Sequence, residues 1–244
     1  LAARLAQAPL RIALVDKEQA AALAAPAYDG REIALTQTSI DRLQHLGAWA
    51  RLQDDEIAPL ARAEVLNGGS PHVLAFADRA EKAPLGALVS NAAIRRALYQ
   101  TIVRQDNCDL YAGDTATLAS TDDGCARVRL TDGSILEGKL IVAADTRFSA
   151  LRQGQGISAH MLDFGRTMLV CRVRHSKPHE GVATEWFDHG QTIAMLPLNG
   201  DQSSFVLTLG ARAMHDVVDR SDSDFARDVE RRTQSRWGEI ELVS

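Results

Sequence analysis

The 244 residues carry 27 Lys plus Arg against 32 Asp plus Glu, a formal charge of −5. With arginines scattered singly or in pairs among carboxylates, that balance argues against a nucleic-acid binder, which needs a strongly basic face. Hydrophobic residues make up 45% of the chain, which places it with ordinary globular proteins and excludes disordered, collagenous and fibrous classes.

At roughly 150 residues per domain, the length implies one large domain or two intertwined ones. Apolar runs such as Leu140, Ile141, Val142, Ala143 and Ala144 fall far short of the roughly 20 residues a bilayer span requires, so the chain is expected to be soluble or peripheral. It begins with Leu1 and shows no charged start followed by an apolar block, so a secretion signal is not expected and Leu1 is not read as the natural start. Cys108, Cys125 and Cys171 are odd in number and widely spaced, which suits packing in a reducing compartment better than a disulfide framework.

In chain order, Leu1 and Leu5 lie one turn apart among alanines until Pro9 stops the pattern, which predicts the end of a helix. Arg11 to Val15 predicts a short buried strand ending in Asp16, the second half of a βαβ unit. Residues 19–30 read as a loop or a weak helix followed by a loop. Ile40, Leu43 and Leu46 recur at helical spacing behind Thr38 and Ser39, with Gly47 as the stop, so 39–46 is expected to be a helix. From about 57 to 90 the pattern alternates. Ala61 to Leu66 and Val73 to Phe76, separated by Asn67, Gly68, Gly69 and Ser70, predict a hairpin.

Asn91 is expected to cap a helix in which Ile94, Leu98 and Ile102 share one face. Strands are predicted at 115–120, at 125–130, and from 134 to 144 running into Asp145. Alternation at 167–174, 182–187, 192–198 and 203–209 predicts a second, mostly antiparallel sheet. Ser221 and Ser223 open a last helix with Phe225 and Val229 turned inward.

Asp16, at the end of a buried strand, stands where a dinucleotide-binding fold places the acid that accepts from both hydroxyls of a ribose. A capping or strand-end Asp is the plain alternative. The glycine fingerprint G-x-G-x-x-G, expected roughly 20 residues before such an acid, would fall just upstream of Leu1. The second feature is Ala144-Asp145-Thr146-Arg147-Phe148-Ser149-Ala150-Leu151-Arg152, which follows an apolar run. It resembles the A-D-G-x-x-S-x-x-R motif of flavoprotein aromatic hydroxylases, with Thr146 at the glycine position and Asp145, Ser149 and Arg152 matching.

Three further blocks resemble the same family in the same order. They are Asp29-Gly30-Arg31 with Ala34-Leu35, Ser39 and Leu46-Gly47-Ala48-Trp49; Leu85 to Asn91 with Arg95 and Leu98; and Glu185-Trp186-Phe187 followed by Leu196-Pro197-Leu198. Each block is weak alone and the set is specific. It is most similar to the FAD-dependent aromatic hydroxylases of ubiquinone biosynthesis, on the side of the 5-demethoxyubiquinol hydroxylase type.

That resemblance implies a mixed α/β fold like that of the para-hydroxybenzoate hydroxylases: a Rossmann-like FAD-binding domain at 1–56 and 85–160, interleaved with an antiparallel substrate-covering sheet at 57–84 and 161–244. It implies FAD and NAD(P)H as cofactors, with dioxygen supplying an oxygen atom to an electron-rich phenol or quinol ring. By the same resemblance Asp16 holds the adenosine ribose, Arg31 the flavin side of FAD, and Asp145 its ribityl and pyrophosphate region. Arg152 supports the Asp145 loop or the phosphates of the nicotinamide cofactor, for which a planar guanidinium suits. Surface ion pairing is the plain alternative for both arginines. No residue is assigned as catalytic.

The partner implied is a small aromatic, with or without a prenyl tail; the location expected is cytoplasmic, with peripheral association at the inner membrane or within a biosynthetic complex as the further option. A flavin hydroxylase for a small soluble aromatic, and a non-catalytic module that kept the fold, are the competing readings. His175 and His179 would pair only on a helix, which Pro178 opposes, so no metal site is expected. Of Trp186 and Phe187, adjacent on a strand, at most one lines a pocket. The chain is expected to be truncated at both ends, with a G-D motif lying beyond Ser244. The isolated 1–244 polypeptide is therefore expected to be poorly soluble and to show no stoichiometric flavin absorbance; a soluble, flavin-loaded preparation would refute this.

Overall fold

The computed structural model describes residues 1–77, 83–122 and 124–244. Contacts divide the chain into two compact units, residues 1–27 with 95–162 and residues 28–94 with 163–244. Residues 28–56 and 85–94, which the sequence grouped with the FAD-binding domain, pack by contact with the second unit. Strand Glu32–Thr36 pairs antiparallel with Gly86–Ser90, which pairs on its other edge with Ala58–Leu60, and the segment is joined to residues 163–244 by the Arg172–Glu32 bond and by the pairing of Arg62–Asn67 with Val182–Asp188. Part of the expected 57–84 segment, residues 78–82, lies outside the described residues.

In the first unit, Ile12–Asp16 pairs in parallel with Cys108–Ala112, Asp16 opposite Ala112. The second of these strands has no alternation to announce it. The expected helix over the first eight residues is a single 3-10 turn, Ala2–Leu5. Pro9 caps its length, and so short a segment cannot recover the cost of helix nucleation. Strands Ala116–Asp122, Cys125–Leu130 and Ile135–Gly138 form an antiparallel ribbon. The third was expected to run to residue 144 and stops at Gly138, leaving Leu140 80% and Val142 56% exposed. An apolar run becomes a strand only when a neighbour takes its backbone N–H and C=O groups, and no strand pairs with it among the described residues.

Helix Asn91–Ile102 is capped by Ser90, whose Oγ accepts the Ala93 N–H at 3.1 Å. Asn91, expected as the cap, sends its amide to Asp29 instead. The most buried positions are Ala93, Ala97 and Thr101, one place before the expected Ile94, Leu98 and Ile102, which are half-buried. Helix Gln37–His45 starts two residues earlier than expected because Thr36 caps it, accepting the Ser39 N–H.

The second unit is built on a seven-stranded sheet. Its order is Ile240–Leu242, Arg166–His175, Gln202–Gly210, Gln191–Pro197, Val182–Asp188, Arg62–Asn67, Leu74–Phe76. The expected hairpin is present, with Ala63 opposite Phe76 and Val65 opposite Leu74. All pairings are antiparallel except that of Val182–Asp188 with Arg62–Asn67. Alternate residues Cys171, Val173, Ile193, Met195, Phe205 and Leu207 point to one face and pack with Met214, Val217, Phe225 and Val229. These last four come from helices Ala211–Val218 and Asp222–Arg232. The second helix starts at Ser221, whose Oγ accepts the Asp224 N–H. Its Asp228 is 2% exposed in its side chain and is matched by Arg220 at 2.6 Å, Arg232 at 2.7 Å and Arg231, the multiple pairing a buried carboxylate requires. No described helix is long and apolar enough to cross a membrane.

Gly86 marks the closest approach in the three-stranded sheet, because a Cβ there would sit 1.9 Å from the Leu35 carbonyl oxygen. Gly86→Ala must therefore push two paired strands apart. Overpacking of this kind costs about 1–3 kcal/mol, and thermal denaturation should show a clearly lower Tm; an unchanged Tm would show that the strands separate freely.

Candidate functional site

The Asp29-Gly30-Arg31 block forms a turn that closes on itself. Asp29 Oδ1 accepts the backbone N–H of Arg31 at 3.2 Å, and Oδ2 accepts from Arg31 Nε at 3.0 Å and from Nη2. Asn91 Nδ2 donates to the same Oδ2 at 2.7 Å, and the Asn91 N–H donates to the Arg31 carbonyl at 3.0 Å. Gly30 lies at φ +80°, a conformation suited to glycine. Hydrogen bonding from Arg31 holds the Asp29 carboxyl down at about 2. The Arg31 side chain is 60% exposed. Since Nε and Nη2 face Asp29, its Nη1 is the end turned away, where an acceptor on a ligand could meet it.

On either side of this turn lie Tyr28 and Glu32, which sequence reasoning missed together with Arg172. Glu32 Oε1 accepts from Tyr28 Oη at 3.0 Å, from Arg172 Nε at 3.0 Å and from Arg172 Nη2. The Arg172 Cζ stands 4.3 Å from the centre of the Tyr28 ring. Burial and then the Glu32 charge push the Tyr28 hydroxyl up to about 12. The available signal was positional: Glu32 and Arg172 are charged residues within strand patterns.

Asp145, in the first unit, is exposed on the irregular stretch before helix Ala150–Gly154. A hydrogen bond from Ser149 holds its carboxyl below the usual carboxylate range. Buried Ser149 also caps the helix, its Oγ accepting the Arg152 N–H at 3.0 Å, and Arg152 Nη1 donates to the Ile157 carbonyl at 2.6 Å. The structure thus joins Asp145, Ser149 and Arg152 in one turn. Thr146, where the motif carries glycine, accepts the Phe148 N–H at 3.0 Å on its hydroxyl and the Ser149 N–H at 3.0 Å on its carbonyl. It is not among the residues with positive φ, so the turn forms without glycine.

Asp16 ends its parallel strand half-buried, with Oδ1 accepting the Glu18 N–H at 2.9 Å. Its carbonyl accepts from Gly113 and Asp114. The four candidates therefore fall into two groups, Asp16, Asp145 and Arg152 in the first unit and Arg31 in the second.

The remaining candidates are occupied by packing. His175 is buried on a strand, with Nδ1 2.9 Å from the Lys177 carbonyl and Nε2 3.0 Å from Ser203 Oγ. His179 Nδ1 accepts the Gly181 N–H, and its Nε2 faces the Leu198 carbonyl. Their rings lie 5.4 Å apart edge to face. No group of three or more metal-ligating side chains occurs among the described residues. Trp186 packs against the core and donates Nε1–H to the Gly68 carbonyl, whereas Phe187 is 45% exposed. Burial pushes the Cys171 thiol up to about 12, far from the thiolate a reactive cysteine needs.

The low Asp29 value carries a pH signature. Its carboxyl falls from the ordinary 3.8 to about 2 on folding. Its stabilising contribution is thus present in full above about pH 5 and lost as pH falls toward about 2. Asp29→Asn should lower Tm at neutral pH, and the difference from wild type should shrink between about pH 5 and pH 2.5. A pH-independent difference would assign the effect to shape rather than charge.

No protein-family model matches the chain. Among curated proteins it is 40% identical over 248 residues to ubiquinone hydroxylase UbiM of Neisseria meningitidis, covering 100% of this chain and 54% of that protein. It is 31% identical over 243 residues to ubiquinone hydroxylase UbiL of Rhodospirillum rubrum, covering 100% of this chain and 56% of that one. The chain therefore spans about half the length of the curated relatives it matches. Among solved structures, Pseudomonas aeruginosa PqsL in complex with 2-aminobenzoylacetate superposes with a TM-score of 0.77 at 15% identity, over 100% of this chain and 69% of that one. Klebsiella pneumoniae HpxO complexed with FAD and uric acid gives 0.58 at 19% identity, over 92% and 62%. These likenesses show the fold. By sequence the chain is similar along its whole length to two proteins named ubiquinone hydroxylases.

Proposed function

We propose that the chain works within a flavoprotein monooxygenase that hydroxylates the aromatic ring of a polyprenylated phenol or quinol in ubiquinone biosynthesis, using FAD, NAD(P)H and dioxygen. The observation that carries this reading is the 40% identity to ubiquinone hydroxylase UbiM along the whole chain. When bound, FAD supplies the redox and oxygen-transfer chemistry; the protein supplies binding, orientation and electrostatics.

The donor set suits such a cofactor. Asp16 engages Oδ1 with the backbone of Glu18, so Oδ2 is the oxygen to accept from the adenosine ribose. Asp145, held ionised by Ser149 on an exposed turn, accepts from hydroxyls of the ribityl region. Arg31 presents Nη1 to the flavin side, and Arg152 holds the turn that carries Asp145. In this reading the first unit is the main FAD-binding body, and the seven-stranded sheet belongs to the substrate-binding domain. A lipid-soluble substrate brings the protein to the membrane surface as a peripheral enzyme.

Two experiments on the complete protein test this. Asp145→Ala should weaken FAD binding about tenfold to a hundredfold, since a charge-assisted hydrogen bond contributes about 1.5–3 kcal/mol; unchanged flavin content after purification counts against the assignment. Chelator-treated enzyme should still consume dioxygen with NAD(P)H, and faster on a prenylated than on an untailed phenol. Activity restored only by added metal, or equal use of both phenols, would overturn the reaction or the substrate class respectively.

A further inference from the structure

Arg172 lies on strand Arg166–His175, where Cys171, Val173 and His175 turn into the core beneath the helices. By strand alternation Arg172 projects from the opposite face. From there its guanidinium grips Glu32, whose side chain is 3% exposed, through Nε at 3.0 Å and through Nη2. Its flat face lies 4.3 Å from the Tyr28 ring centre, and the Tyr28 hydroxyl donates to the same Glu32 oxygen at 3.0 Å. One guanidinium thereby holds both ends of the Asp29-Gly30-Arg31 turn. Between those ends the turn lies against the same strand, since a Cβ on Gly30 would be 3.7 Å from the Val170 carbonyl oxygen.

The internal bonds of the turn do a different job. Asp29 and Arg31 belong to one short segment, so their pairing fixes the Arg31 guanidinium relative to the turn and leaves the turn free relative to the sheet. Arg172, through Glu32 and Tyr28, supplies the missing reference, with Asn91 as a second tether from the helix. We infer that Arg172 is a positioning residue for Arg31, orienting the guanidinium that meets the flavin side of the cofactor from a strand it does not share with it. The inference rests on the cofactor role proposed above for Arg31.

The test uses the complete flavoprotein with Arg172→Gln, Arg172→Lys, Tyr28→Phe, Arg31→Ala and the double variant Arg172→Gln/Arg31→Ala. Hydrogen exchange reads the clamp without reference to flavin. In apoprotein, the Arg31 amide, bonded to Asp29, and the Asn91 amide, bonded to the Arg31 carbonyl, should lose protection in Arg172→Gln while core strands such as 203–209 keep theirs. Arg172→Lys keeps the charge but not the planar fork, so it should give most of the same loss, and it serves if the Gln variant fails to fold. Tyr28→Phe keeps the ring against the guanidinium and should lose less.

Flavin titration then reads the consequence. Arg172→Gln should raise the flavin Kd by about tenfold in the wild-type background, the loss of one charge-assisted bond, and by less than about twofold when Arg31 is already Ala, because interacting residues are non-additive. Equal effects in both backgrounds, or unchanged exchange at Arg31 and Asn91, overturn the positioning role. If Arg31→Ala alone leaves flavin affinity unchanged while Arg172→Gln still deprotects the turn, the clamp stands as a structural fact, and both the cofactor role of Arg31 and the positioning of it toward flavin are overturned.

Discussion

A carboxylate taken out of water must be matched by hydrogen-bond donors or it will not remain buried as an anion. Glu32 meets that demand with the Arg172 guanidinium and the Tyr28 hydroxyl on one oxygen. Much of the second unit follows from this match. Glu32 opens the strand that pairs with Gly86–Ser90, that strand leads directly into the helix at Asn91, and Asn91 returns to Asp29. The circuit ties a turn, two strands, a helix and the large sheet to one buried charge. Loss of either partner strands the other, which is more damaging than replacing both by apolar residues.

The large sheet was legible because its strands alternate: Cys171 and Val173, Ile193 and Met195, and Phe205 and Leu207 repeat with period two. The helix at 222–232 was legible from Ser221 and from the spacing of Phe225 and Val229. Helix Ala211–Val218 escaped because Ala211, Arg212 and Ala213 follow Gly210 with no side-chain cap to announce a start. Strand Cys108–Ala112 escaped because its burial depends on a partner far away in sequence, and the run after Gly138 was read as a strand for the converse reason: it is apolar but has no such partner among the described residues. Residue type favours Asn91 as the cap, whereas Ser90 one place earlier has the better geometry.

For the candidate site, the motif residues were found by type and order, and their partners were not. Asp29, Arg31, Asp145, Ser149 and Arg152 stand in short blocks whose internal bonds are local, so the resemblance to family motifs picks them out. Arg172 and Tyr28 are separated from each other by most of the chain and meet only through the sheet. Positioning residues of this kind carry no local signature, because a charged residue on an outward strand position looks like ordinary surface until the fold places something over it.

The single parallel pairing in the large sheet, Val182–Asp188 beside Arg62–Asn67, has a consequence for how the protein is made. Those two strands are separated by the whole of residues 95–162, which belong to the other unit. A ribosome delivers the chain at roughly 5–20 residues per second, so the strand at 62–67 emerges seconds before its neighbour exists. During that interval the first segment of the second unit waits with unpaired edges, while the intervening residues are free to fold. Non-local closure of this sort is slow and exposes strand edges meanwhile. The topology that fixes the second unit thus sets an order of synthesis in which the inserted segment is complete before the body that surrounds it in sequence.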